Sequence, residues 1–160
     1  MASDFFLKIE GIDGESSDKG HAKWIEVMTF DHGAMQNVSI QRGADVAGRG
    51  QFIPFKFMHA VDKATPKLQQ YCMNGQKIAK VNFAYCRAIS GAQVSVYEIT
   101  MENVKVARAE VKTIEADGVM QPVEEVELVA GKMSWKVTPI KPDNTKDGAI
   151  EAAFDQIANA

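Results

Sequence analysis

Residues able to do chemistry are few in this chain, and their spacing does not gather them. His21, His32 and His59 stand singly in predicted strands and strand ends. No H-E-x-x-H or C-x-x-C spacing makes a metal-ligand set of them. Serines lack the G-x-S-x-G elbow of a hydrolase nucleophile, and neither Cys72 nor Cys86 carries the local signature of a thiol protease. The pairs Gly11/Gly14 and Gly48/Gly50 are not phosphate loops, because neither opens a helix after a strand with the required lysine. One acidic run stands out. Glu125 and Glu127 read as solvated, whereas Glu124 shares the apolar face of Val126 and Leu128. A carboxylate on that face needs a partner, either an intersubunit Lys or Arg or a role as general base. The expectation is a protein that is not an enzyme and holds no cofactor or metal.

Composition bounds the class. A chain of 160 residues with 46% hydrophobic and 24% charged content fits one soluble domain, residues 1–160, whose core needs no staples. Its net charge of −3 gives no general attraction to nucleic acid or to an anionic membrane. No stretch approaches the roughly 18 apolar residues of a membrane helix, so membrane insertion is not expected. The N-terminus shows no basic segment followed by an apolar one, so no signal peptide is expected. Cys72 and Cys86 read as reduced, half-buried hydrophobes of a cytosolic protein, with a regulatory disulfide or a metal pair as the alternative.

The elements that position these residues are mostly strands. Phe5, Leu7 and Ile9 alternate with polar neighbours up to the turn at residues 11–14. Residues 21–31 form a predicted strand with Ile25 and Val27 on one face and Trp24, Met28 and Phe30 on the other. A strand apolar on both faces must be covered on both sides, and in a single-layer barrel one cover would come from the helix, a loop or another subunit, a first hint of assembly. Another strand is predicted over residues 35–40. Residues 41–51 hold three glycines together with Arg42, Asp45 and Arg49, the composition of a long contact loop. Ile53, Phe55, Phe57 and Val61 then share one side of a strand that runs into a single helix. Thr65 is its expected N-cap, Pro66 its first helical residue and Gly75 its left-handed terminator, with Leu68, Tyr71 and Cys72 as the buried stripe. Ala79, Val81, Phe83 and Tyr85 line the next strand. A further strand from Gln93 changes phase near Val106–Ala107, which predicts a bulge. Asp117-Gly118 turns the hairpin, and Gly131 reads as a turn before a strand with Met133, Trp135 and Val137. In the tail, residues 143–160, Ile150, Phe154 and Ile157 have helical spacing, though the segment is short for a helix. Strands at this spacing predict a mainly β fold, a sandwich or closed barrel.

In this order of elements the chain resembles the hemolysin-coregulated protein (Hcp) family, whose members are inner-tube subunits of the bacterial type VI secretion system. Four stretches carry the likeness: residues 6–16 (FLKIEGIDGES), 24–27 (WIEV), 55–68 (FKFMHAVDKATPKL) and 122–128 (PVEEVEL). The third is the densest and looks like the family's strand-to-helix signature. Thr65 stands where the family often has Ser, and Phe154-Asp155 where a tryptophan-and-aspartate ending is expected.

The resemblance implies a barrel of two packed β-sheets with one short α-helix on its side. Six copies would close into a ring, and rings would stack into a hollow tube that is ejected on contraction and carries small effector proteins. Its expected partners are further copies of itself, the sheath and spike-tip proteins of the apparatus, and effectors in the lumen. Such a subunit would occupy the bacterial cytoplasm before firing and then be secreted without a signal peptide. Polar strand faces would line the lumen and the helix would face outward. Residues 21–31 would gain a neighbouring subunit as their second cover, and residues 41–51 would reach an adjacent subunit. The expected subunit and ring interface therefore comprises Trp24, Met28, Phe30, Arg42, Asp45, Arg49 and Glu124. The rival reading is a monomeric small-ligand-binding β-barrel of lipocalin type, which would need an apolar pocket.

Overall fold

In the computed structural model, which describes residues 4–41 and 44–160 and all their side chains except those of 41 and 44–47, alternating apolar residues build a mainly β, barrel-like fold. The strands are β1 (Phe5–Ile9), β2 (Ile25–Val27), β3 (Thr29–Met35), β4 (Val38–Gln41), β5 (Ala44–Ala47) and β6 (Gln51–Ala60). After helix α1 (Thr65–Asn74) come β7 (Ile78–Ile89), β8 (Ala92–Ala116), β9 (Val119–Val137) and β10 (Ile150–Asp155). Eight strands form one sheet in the order β2-β1-β7-β8-β9-β6-β3, with β10 added on β9, while β4 and β5 make a separate two-stranded ribbon. The long strands β8 and β9 run through both layers of the barrel and join them in one hydrogen-bonded sheet. Its two ends are the consecutive strands β2 and β3, and the Met28 N–H donates to the Met58 carbonyl at 2.7 Å where they meet.

The period-two pattern puts the core inside. Leu7, Ile25, Val27, Phe55, Phe57, Val81, Phe83, Ile99, Met101, Val126 and Leu128 are buried together. Phe83 lies 4.4 Å from Phe30 and 5.3 Å from Phe55, ring centroid to ring centroid, so aromatic rings fill the interior. Phe6, Ala84 and Cys86 form a second, smaller cluster on the other face of β1 and β7, roofed by Trp24. Cys86 is thus fully buried and Cys72 half-buried, both as free thiols.

Several elements differ from the sequence expectation, each for a local reason. Residues 21–31 are not one strand: the chain turns at 21–23, pairs β2 with β1, breaks at Met28 and pairs β3 with β6. The break changes phase, so Ile25, Val27 and Phe30 all serve one core, while Met28 stays partly exposed. The strand expected over 35–40 is divided between the end of β3 and β4. Residues 44–47 of the expected loop are strand β5, paired with β4. A bulge in β6 at Pro54, which has no N–H to give the ladder, leaves Ile53 outside the buried face of Phe55 and Phe57. Val61 is also exposed, just past the end of β6.

The helix starts one residue early. Ala64 is its N-cap, without a side-chain cap bond, and Thr65 is already helical. Gly75 ends it in the left-handed conformation at φ 68°. Leu68 is buried, with Tyr71 and Cys72 packed beside it. The bulge near Val106–Ala107 and the Asp117-Gly118 hairpin stand where the sequence put them. Gly131 makes no turn. It lies inside β9, where a Cβ would stand 2.9 Å from Ile157 Cδ1 and 3.2 Å from Asn103 Cβ. The tail forms β10 against β9 rather than a helix.

Candidate functional site

The residues expected at the interface do not converge on one patch. Trp24 packs edge-on to His21 at 4.7 Å, over the Phe6 cluster. Met28 is partly exposed at the break between β2 and β3. Phe30 turns into the barrel, where its ring meets Phe5 at 5.2 Å as well as Phe83. Arg42 and the Asp45 side chain lie outside the described residues. Arg49 donates from its guanidinium to the Gln156 carbonyl of the same chain at 3.2 Å. Glu124 is fully buried and bonded to His59, so its partner is a histidine of its own chain and neither an intersubunit cation nor substrate.

Among the described side chains, those of β4 in the β4–β5 ribbon are left uncovered. Its base is tied down: the Gly48 N–H donates to the Asn37 carbonyl at 2.7 Å, and the Gln36 amide donates to the Gly48 carbonyl at 2.8 Å. Beyond that base Val38 is 59% exposed and Ile40 81% exposed. Beside the base an open groove of about 670 Å³ is lined by Met35, Phe52, Trp135 and Phe154. The Phe52 N–H donates to the Gln156 side chain at 2.8 Å, so the C-terminal segment holds one wall of that groove. Exposed Val38 and Ile40 near a groove walled by Met35, Phe52, Trp135 and Phe154 suit contact with another protein. Sequence reading missed the groove because its walls come from β3, β6, β9 and β10.

Two polar clusters were also invisible in the sequence, since their members are far apart in the chain. In the first, Asp18 Oδ2 lies 2.9 Å from His21 Nδ1, and His21 Nε2 lies 3.8 Å from Cys86 Sγ. The Gln93 amide, with its nitrogen toward Asp18, reaches both carboxylate oxygens at 3.0 and 3.1 Å. Cys86 also approaches Ser95 Oγ at 3.5 Å. This has the composition of a thiol nucleophile with its base and orienting acid, but not the condition of one. The thiol is fully buried, and burial pushes its pKa up, so the thiolate is disfavoured and no substrate reaches it. The imidazole is clamped by stacking on Phe6 at 4.4 Å. The cluster packs the second core.

The other cluster joins β6 to β9. His59 Nε2 lies 2.7 Å from Glu124 Oε1, and His59 Nδ1 is 3.5 Å from Asp62 Oδ2. On the opposite face of the same strands Lys56 and Lys112 engage Glu125, and the hydrogen bond from Lys112 holds that carboxyl below its usual range. Among the described residues, no group of three or more His, Cys, Asp and Glu is placed to hold a metal, and no helix is long and apolar enough to cross a membrane.

Known proteins match this architecture along nearly its whole length. The family described as "Type VI secretion system effector, Hcp" matches residues 6–137. Protein hcp1 of Pseudomonas aeruginosa is 32% identical over 149 residues, covering 92% of this chain and 91% of that protein. The crystal structure of Hcp1 from Salmonella typhimurium superposes with a TM-score of 0.80 at 28% identity, covering 99% of this chain and 98% of that one. The structure of a type six secretion system protein reaches a TM-score of 0.89 over 98% of this chain and 97% of that one, and at 23% identity it bears on the fold alone. With the strand-to-helix segment, the barrel and the ribbon inside the matched span, the chain belongs to the Hcp family of type VI secretion proteins.

Proposed function

We propose that this protein is a structural subunit of the type VI inner tube, in which six copies close a ring and rings stack into a hollow conduit. The observation that carries the reading is the whole-length match to Protein hcp1 at 32% identity. The exposed ribbon supports it. Val38 and Ile40 bury little of their surface in their own subunit, and a second, axial contact between rings would cover such side chains. The tube would assemble in the bacterial cytoplasm, meet the sheath outside and the spike at its tip, carry small effector proteins in its lumen, and leave the cell on contraction. Catalysis has no part in it, and the sealed Cys86 is consistent with that.

A monomeric ligand-binding barrel would need a hollow interior. Phe30, Phe55, Phe57 and Phe83 occupy that interior here, which favours the tube.

Light scattering on the purified protein, followed by electron microscopy, tests the reading. Rings of six copies are expected at micromolar concentration, with stacks at higher concentration. A monomer throughout that range overturns it.

A further inference from the structure

The His59–Glu124 pair lies away from the ribbon and the groove, at the point where the barrel hands the chain to its helix. β6 carries His59 inward one position beyond Phe57, with the two rings 5.6 Å apart. The antiparallel register sets Glu124 of β9 directly opposite. Both side chains are fully buried, Glu124 Oε2 has no hydrogen-bond partner, and His59 Nδ1 has only the long 3.5 Å approach to Asp62 Oδ2. A carboxylate so placed is costly without a positive partner. Lys56 of β6 and Lys112 of β8 are engaged with Glu125 and Glu127 on the other face, and Arg108 of β8 is engaged with Glu110. That leaves the imidazole of His59.

On the far side of the ring stands Asp62, and Asp62 builds the entry to α1. Its Oδ1 accepts the Ala64 N–H at 2.8 Å and its carbonyl accepts the Thr65 N–H at 3.2 Å. Its own N–H donates to Thr65 Oγ1 at 3.2 Å. One ring is therefore bracketed by a carboxylate from β9 and by the carboxylate that orders the first turn of the helix. We infer that His59 is a protonation latch that binds β9, the end of β6 and the start of α1 into one unit when charged and releases that junction when neutral. This rests on the fold of the subunit and stands apart from the tube reading.

The surroundings favour the charged ring. Burial opposes it, but the two flanking carboxylates, Asp62 at 3.5 Å and Glu124 at 2.7 Å, outweigh burial and hold the pKa up at about 9. Glu15, from the segment before β2, and Glu26, from β2, line the surface recess next to Asp62, so that wall is acidic as well. β8 presents the apolar Val111 opposite Glu124. The helix packs on β8, and its buried Leu68 is apolar. With a folded pKa above the ordinary 6.5, the stabilisation is complete below pH 6.5 and is lost as pH rises through about 9.

Two measurements test the latch. The first follows the His59 ring resonances and the amide exchange of Val61, Ala64 and Leu68 from acid to alkaline pH by NMR. The second compares thermal unfolding of the wild type with a His59→Gln, Glu124→Gln double variant, whose neutral amides keep a hydrogen bond but cannot titrate. The expected result is a His59 midpoint near 9, with the junction amides exchanging faster above it relative to those of β7 and β8. Wild-type unfolding temperature should fall over the same range more steeply than that of the double variant. If the double variant does not fold, His59→Lys serves instead, and its loss of stability should move to higher pH with the lysine. A His59 midpoint at or below 6.5, parallel stability profiles, or junction amides that follow the rest of the barrel would each overturn the latch.

Discussion

The β6–α1 junction and the β4–β5 ribbon put apolar side chains to opposite use. At the junction Phe57, Ala64 and Leu68 are fully buried, and even the polar groups among them, His59 and Glu124, pair inside the fold. In the ribbon Val38 and Ile40 lie largely in solvent. The first region derives its order from its own chain. The second gains nothing for the isolated subunit from its apolar residues, so whatever favours them lies outside the subunit. Substitutions in the two regions should therefore separate folding from assembly.

The largest effect belongs to the junction. Leu68→Asp puts a carboxylate where no cation waits and also removes the buried leucine, at a cost of several kcal/mol for the unpaired charge and about 2–5 kcal/mol for the lost packing. Against a typical domain stability of about 5–15 kcal/mol, most or all of the folded population should be lost. Circular dichroism melts measure it, and a variant that melts with the wild type would mean Leu68 does not pack where it is placed. Phe83→Ala comes next. Its ring touches Phe5, Phe30 and Phe55, and the expected loss is about 3–5 kcal/mol in denaturant unfolding. A loss below about 1 kcal/mol would mean the aromatic cluster is loosely filled.

Ile40→Ser should do the reverse. The side chain is 81% exposed, so unfolding free energy should stay within about 0.5 kcal/mol of wild type. Ring stacking seen by electron microscopy should weaken, because the interface between copies loses an apolar anchor. A destabilised monomer, or tubes of undiminished length, would erase the contrast between ribbon and junction.

This contrast was half legible in the sequence. Local signals were reliable: the alternation of β1, the phase change at Val106–Ala107, the Asp117-Gly118 turn, the stripe Leu68-Tyr71-Cys72 and the left-handed Gly75 each depend on residues close in the chain. The failures needed knowledge of a distant partner. Trp24, Met28 and Phe30 looked like one face of one strand because nothing nearby shows that β2 joins β1 while β3 joins β6. Ile150, Phe154 and Ile157 had helical spacing, but the open edge of β9 recruits Ile150–Asp155 as a strand. Gly131 looked like a turn, yet it lies inside β9 where Ile157 and Asn103 approach closely. Glu124 was correctly singled out as a carboxylate in need of a partner. That the partner is His59 follows only from the register of β6 against β9.

Arg49 gives the smallest expected effect and the sharpest division between the two regions, because it sits at the foot of the ribbon. Its guanidinium donates to the Gln156 carbonyl across an exposed surface, joining the ribbon base to the C-terminal segment that walls the groove. A solvent-exposed hydrogen bond of this kind competes with water on both partners, so its loss costs the subunit below about 1 kcal/mol. Arg49→Ala should leave the circular dichroism spectrum unchanged and the unfolding midpoint nearly so. Assembly should respond more, since an interface charge fixes register and the ribbon would lose one of its tethers. Adding Arg42→Ala should deepen the assembly defect without touching stability if both arginines serve contacts between copies. A double variant that unfolds would place these residues with the junction, as parts of the fold. One that stacks and is secreted at wild-type levels would leave Val38 and Ile40 as the ribbon's contact groups among its described side chains.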